Sequence, residues 1–246
     1  MNRFAILAAP RTGSNLLCTF LNSHDEIVCH HELFNPSGIF TAKGYDGAEL
    51  GSVAERDGDP VGFLERFWKR APRRGAFVGF KWTRDQSELA LRHLIADEGV
   101  LKIILRRRNR LKTFLSECIA RRLDQWEVYD AGELVTERPR IHVHTADLFE
   151  HIDANRQFYR RVHDMLGAQP RFELDYEELL DRSTHERLLR FMGVSPLAPL
   201  RAGSIKQNSD DLRELVANLD ELSVALSGTE LEQELSPRAF ETTRGA

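Results

Sequence analysis

Three cysteines in 246 residues, Cys18, Cys29 and Cys118, are too few and too irregularly spaced for a disulfide framework or a thiolate metal site. Cys18 and Cys118 fall on apolar helical patterns and read as buried free thiols. No apolar run reaches eighteen residues, and the short apolar start at residues 4–9 lacks a cleavage pattern. Neither a membrane span nor a secretory signal is expected, which makes the chain a cytoplasmic one. A basic surplus is also missing: 34 Lys and Arg against 38 Asp and Glu leave a net charge of -4, which argues against a general nucleic-acid binder. Internal repeats and low-complexity tracts are absent. What remains is ordinary for a soluble globular protein, 41% hydrophobic and 29% charged. The length suits one large α/β domain with a sizeable core, taken here as a single domain over residues 1–246.

Short apolar runs at 4–9, 27–29, 76–80, 100–105 and 172–174 have the length and composition of buried strands. Helical spacing fills the intervals at 14–22, 61–70, 86–96, 111–121, 146–166 and 185–192. This alternation predicts a parallel sheet flanked by helices, with ligands at the carboxyl ends of the strands. Residues 35–60, rich in Gly, Pro and Asp, read as a long loop or lid, and 210–226 as a late amphipathic helix. The last ten residues read as frayed.

The first strand breaks at Pro10-Arg11-Thr12-Gly13 and a helix restarts at Ser14-Asn15. A helix start fed by a glycine turn offers free N–H groups and the positive end of the helix dipole, so it binds anions. Arg11 adds fixed charge, and Ser14 and Asn15 add side-chain donors. The Walker loop needs a lysine just before its hydroxyl residue, and this loop has none. A second basic element follows the fourth strand, where Arg106, Arg107, Arg108 and Arg110 lie within five positions and Ser116 comes eight residues after Arg108. Such a run at a helix start opposes the dipole and calls for an anion. Arginine offers a planar fork to a phosphate, and serine one further donor.

The spelling PRTGSNLL resembles the 5′-phosphosulfate loop of sulfotransferases that use 3′-phosphoadenosine 5′-phosphosulfate (PAPS), where bacterial carbohydrate enzymes of the trehalose and nodulation-factor type read close to PRSGSTLL. The Arg108–Ser116 spacing is similar to the pair with which that family grips the 3′-phosphate. His31-Glu32-Leu33-Phe34-Asn35-Pro36 resembles the family's Glu, apolar, aromatic, Asn-Pro segment. The resemblance implies a P-loop-like α/β fold and transfer of a sulfuryl group from PAPS to a hydroxyl, leaving adenosine 3′,5′-bisphosphate (PAP). It implies a small-molecule acceptor, such as a carbohydrate or glycolipid, no metal, and a possible homodimer. Pro10 to Asn15 would hold the phosphosulfate, Arg108 and Ser116 the 3′-phosphate, and Lys206 would belong to a late basic-glycine loop, with Arg201 a weaker candidate.

By that match Glu32 is the base for the acceptor hydroxyl. Chemistry alone leaves His30 and His31 open, because imidazole titrates near neutrality. The three adjacent residues do not suit one metal, since neighbours on a strand face opposite sides. Lys81 is placed to stabilise charge on the leaving oxygen or is a plain surface lysine. Trp82 stacks on adenine, lines the acceptor pocket or packs in the core. Asp175, Glu177 and Glu178 read as a structural cap of their own helix. Residues 35–60 and 125–144 shape the acceptor pocket, with His142 and His144 read as packing groups. Two rivals remain: a P-loop-type small-molecule kinase, and a nucleotide-binding protein without catalysis.

Overall fold

A computed structural model describes residues 2–70, 77–196 and 199–236. The frayed tail expected at 237–246, and Ala76 at the start of the expected third strand, lie outside the described residues. Five strands form one parallel sheet: β1 (Asn2–Ala8), β2 (Ile27–His30), β3 (Phe77–Trp82), β4 (Val100–Arg106) and β5 (Arg171–Asp175), in the order β2-β3-β1-β4-β5. The helices are α1 (Ser14–Asn22), α2 (Val53–Gly58), α3 (Pro60–Arg70), α4 (Glu88–Ala96), α5 (Arg110–Leu123), α6 (Thr145–Leu166), α7 (Arg182–Met192), α8 (Leu212–Leu215) and α9 (Leu219–Leu226).

β1 is central because it is apolar on both faces. Phe4, Ile6 and Ala8 pack with Leu17 and Leu21 of α1 and Leu188 of α7, while Ala5 and Leu7 pack with Phe63, Phe67, Leu94 and Phe158 on the other side. Burying each large side chain contributes about 1.5–3 kcal/mol. Chain direction then does the functional work. β1 pairs with β3 and β4 in parallel, Leu7 opposite Trp82 and Ala8 opposite Leu105, so the carboxyl ends of these strands share one edge. The crevice there is the switch point of the sheet, where α/β proteins bind ligands.

Residues 35–60 are more structured than expected. A 3-10 turn at Gly47–Leu50 and α2 occupy the middle, and a Ser52–Glu55 capping box starts α2. Arg56, 1% exposed, donates to the carbonyls of Leu33, Asn35 and Gly38 and pins the segment after β2. The late helix is broken into α8 and α9 around Val216, whose carbonyl accepts from Arg140.

His30 turns away from the crevice into the core. Its ring lies edge-on to Phe67 at 5.4 Å, and its Nδ1 accepts the Ala42 N–H at 3.2 Å. Burial, then the neighbouring His31, pushes the His30 imidazole down from 6.5 to about 4. The unfolded chain therefore takes up a proton here that the folded protein refuses. Stability is full above pH ~6.5 and falls as pH drops toward 4. Urea midpoints measured from pH 7 to 4.5 should decline, and His30→Gln should flatten that slope by up to about 1.4 kcal/mol per pH unit. An unchanged slope in the variant would contradict this placement.

Candidate active site

The loop between β1 and α1 turns on Gly13, at φ +93°, where a Cβ would come within 2.4 Å of the Tyr176 ring. Only glycine allows both the left-handed turn and the close approach. Helix α1 starts with no side-chain cap and no acid in its first turn, so its N–H groups face the crevice without a carboxylate of their own helix. Arg11 is at φ 61°, a left-handed conformation unusual for a side-chain-bearing residue. Burial, then the nearby Arg107, lowers the Arg11 guanidinium to about 10. Thr12 is buried and caps the turn internally, its hydroxyl donating to the Ala9 carbonyl at 2.7 Å, so its side chain does not line the crevice.

A cavity of 1240 Å³ opens at this edge, bounded by Pro10, Arg11 and Gly13 to Asn15 on one side and by His31, Glu32 and Lys81 on another. Single small-molecule sites run to about 300–1,000 Å³, so this one has room for two reactants. An ion pair stands in its wall. Lys81 at the end of β3, 5% exposed, lies 3.0 Å from Glu32 Oε1 and also donates to Asn15 Oδ1. The surface-lysine alternative is thereby removed. Glu32 Oε2 accepts from Asn35 Nδ2 at 2.8 Å, Gln86 Nε2 at 3.0 Å and the Thr83 hydroxyl at 3.1 Å. Burial would raise the Glu32 carboxyl, but the Lys81 charge and these hydrogen bonds outweigh it and hold the pKa below the ordinary value. Burial likewise works against the Lys81 ammonium, and Glu32 overcomes it, so Lys81 stays charged.

His30, His31 and Glu32 diverge. His30 enters the core, His31 Nε2 meets the Tyr129 hydroxyl at 3.2 Å, and Glu32 meets Lys81. Burial, then Lys81, keeps the His31 imidazole below its usual value and hence neutral near pH 7. Trp82 is a core residue, 1% exposed, its ring 4.8 Å from that of Phe34. It does not reach the cavity.

On the far side, Ser116 on α5 faces the cavity, its Oγ accepting from Arg11 Nε at 3.0 Å and Asn208 Nδ2 at 3.3 Å. Arg108 is not brought to it. Asp175 at the end of β5 takes the Arg108 Nε at 2.8 Å, and Arg108 lies outside the cavity lining. Its neighbour Arg107 turns inward instead. The Arg107 guanidinium lies 4.4 Å from the Tyr176 ring centroid, and its Nε is buried without a hydrogen-bond partner. Spacing in sequence located the element but not which arginine of the run faces inward.

The basic run also has anions inside the protein. Glu177 accepts the N–H groups of Arg108 and Asn109, and Glu234 accepts the Leu111 N–H and pairs with Arg110. Asn109 caps α5, its side chain accepting the Lys112 N–H, and with Glu177 and Glu234 beside its start the dipole argument for an external anion is satisfied internally. Lys206 lines the cavity in an ion pair with Asp210, and Arg201 does not line it. Trp126, Glu127 and Glu133 line the cavity as expected for the segment at 125–144, whereas the rings of His142 and His144 lie 4.8 Å apart, tilted by 53°, outside its lining.

Sequence reading missed Arg107, Tyr176, Thr83, Gln86 and Glu127. The first two sit inside runs whose spelling does not single out one member. Thr83 and Gln86 follow Lys81 closely and so share its strand end, which is the one signal that points to them.

No family model matches the chain. It is 28% identical over 182 residues to nodulation protein H of Rhizobium tropici, spanning 72% of this chain and 69% of that protein. It is 27% identical over 231 residues to nodulation protein H of Rhizobium meliloti, spanning 90% of each. Among solved structures, a sulfotransferase from Alicyclobacillus acidocaldarius superposes with a TM-score of 0.51 at 18% identity, over 98% of this chain and 96% of that one. The chain is thus similar in sequence to the nodulation protein H proteins and has the fold of a sulfotransferase.

Proposed function

We propose that the protein is a PAPS-dependent sulfotransferase, a cytoplasmic enzyme that sulfates a hydroxyl of a carbohydrate, glycolipid or similar small acceptor. The observation that carries this reading is the buried Lys81–Glu32 pair, placed beside an uncapped helix N-terminus in a cavity with room for two reactants. The orphaned Arg107 Nε supports a second anionic group on the far side, which a nucleotide phosphorylated at both ends supplies. The missing Walker lysine disfavours the kinase alternative.

When bound, PAPS supplies a sulfuryl group activated by a phosphate leaving group. The N–H groups of Gly13 to Asn15, with Arg11, hold the 5′ anion at the positive end of α1. Ser116 and Arg107 receive the 3′-phosphate, each charge-assisted bond contributing about 1.5–3 kcal/mol. Lys81 offers its ammonium to the oxygen that gains charge as the phosphate departs. Glu32, ionised at neutral pH, accepts the acceptor's proton as its oxygen attacks. Its four donors keep it a weak base, which suits a proton that becomes acidic only as the new bond forms. Residues 35–60 and 125–144 enclose the acceptor half of the cavity, where Phe40 and Trp126 expose aromatic faces suited to a sugar ring.

Calorimetry with PAP tests the arginine assignment. Arg107→Ala should weaken binding about tenfold or more, and Arg108→Ala by no more than about threefold. The reverse order would return the site to Arg108. Total turnover of sulfur-labelled PAPS, counted as sulfated trehalose plus sulfate released to water, tests the chemistry. Glu32→Ala should lower it by roughly 10²–10⁴-fold while PAP affinity stays within a few-fold. Undiminished turnover would remove Glu32 as the base, and absence of turnover in the unaltered protein would remove the transferase reading.

A further inference from the structure

Asn15 has two partners at once. Its Oδ1 accepts from the Lys81 ammonium, and its Nδ2 donates to Glu127 Oε2 at 2.6 Å. Ammonium has only donors and an ionised carboxylate only acceptors, so this pair of neighbours permits one orientation of the amide. Glu127 Oε2 also accepts from the Tyr129 hydroxyl at 2.8 Å, and that oxygen lies 3.2 Å from His31 Nε2. Burial, then the Glu127 charge, pushes the Tyr129 phenol far above its ordinary value, so it remains a donor. Between the two, Val128 is 1% exposed and its carbonyl accepts the Ile205 N–H at 2.9 Å. The segment carrying Glu127 is therefore fixed in place. The Glu127 carboxylate bonds the Asn15 side chain, not the N–H groups at the start of α1, Ser116 or Arg107.

We propose that Glu127 is a positioning residue for sulfuryl transfer. It holds the Asn15 amide with the carbonyl toward Lys81, and so keeps the ammonium between Glu32 and the N-terminus of α1. Without Glu127 the amide loses its second anchor, and its carbonyl can swing away from the ammonium. Lys81 would then keep Glu32 as its single hydrogen-bonding partner and move off the leaving oxygen. This inference rests on the transferase reading above, and its test separates the two.

The full chain is assayed for total turnover of labelled PAPS with trehalose and water as acceptors, and for PAP affinity by calorimetry. Glu127→Ala should lower kcat by about 10–100-fold, the loss expected when a reacting group is misplaced by about 1 Å. KM for PAPS and PAP affinity should stay within about threefold, because the carboxylate bonds the Asn15 amide and none of the backbone N–H groups of the α1 start, Ser116 or Arg107. Glu127→Gln keeps an oxygen for Asn15 and should recover activity to within about fivefold of the unaltered protein. In a Lys81→Ala background, Glu127→Ala should have little further effect, since both changes remove the same placement. Should Glu127→Ala fail to fold, Tyr129→Phe, which removes one donor to Glu127, should still lower kcat several-fold at constant KM. Unaltered kcat in Glu127→Ala, a loss that Glu127→Gln does not recover, or full additivity with Lys81→Ala would overturn the proposal while leaving the transferase reading intact. Loss of PAP binding or of turnover in the unaltered protein would overturn that reading instead.

Discussion

A lysine ammonium buried at the tip of a strand must be neutralised where it stands, and this requirement organises the edge of the sheet. Isolated burial of a charge costs several kcal/mol, more than one hydrogen bond returns. Lys81 meets it with Glu32, just after β2, and Asn15, in the first turn of α1. Parallel pairing makes the meeting possible. The Lys81 N–H donates to the His31 carbonyl, so the residue after it, Glu32, is delivered beside the lysine by backbone register. Arg56 then ties the outgoing loop at Leu33, Asn35 and Gly38, which holds Asn35 close enough to donate to Glu32.

The rest of the cavity is arranged around that pair. On one side the uncapped start of α1 concentrates unsatisfied N–H groups, which Gly13 makes accessible by turning where no side chain fits. On the other side Arg107, after β4, and Ser116, on α5, line the cavity. Internal carboxylates occupy the remaining cations: Asp175 holds Arg108, Glu173 holds Arg106, and Glu230 and Glu234 hold Arg110. The run is thus sorted: Arg106, Arg108 and Arg110 form ion pairs with these carboxylates, while Arg107 lines the cavity.

That sorting explains what could be read from the sequence. Apolar runs gave all five strands to within three residues, because a parallel sheet buried on both faces leaves little choice of residue type. The α1 start was legible because glycine and Pro-Arg-Thr mark a forced turn. Glu32 and Lys81 were legible as candidates because both follow strands directly, where parallel topology collects side chains. Arg107 was not, because the face an arginine takes depends on Asp175, some 67 residues away in sequence. Glu127 was illegible for a similar reason: it lies in a loop with no periodicity, and only its contact with Asn15 gives it meaning. The broken helix near Val216 escaped because a tertiary hydrogen bond from Arg140 overrides an amphipathic pattern that runs through.

The central claim is that one nucleotide spans two cradles, with the Lys81–Glu32 pair at its reactive end. A crystal structure of the protein with PAP tests it most directly. The account predicts the 5′-phosphate within hydrogen-bonding distance of the Ser14 and Asn15 N–H groups and the Lys81 ammonium, and the 3′-phosphate against Ser116. A nucleotide bound with its 5′-phosphate away from the start of α1, or held outside this cavity, would contradict it.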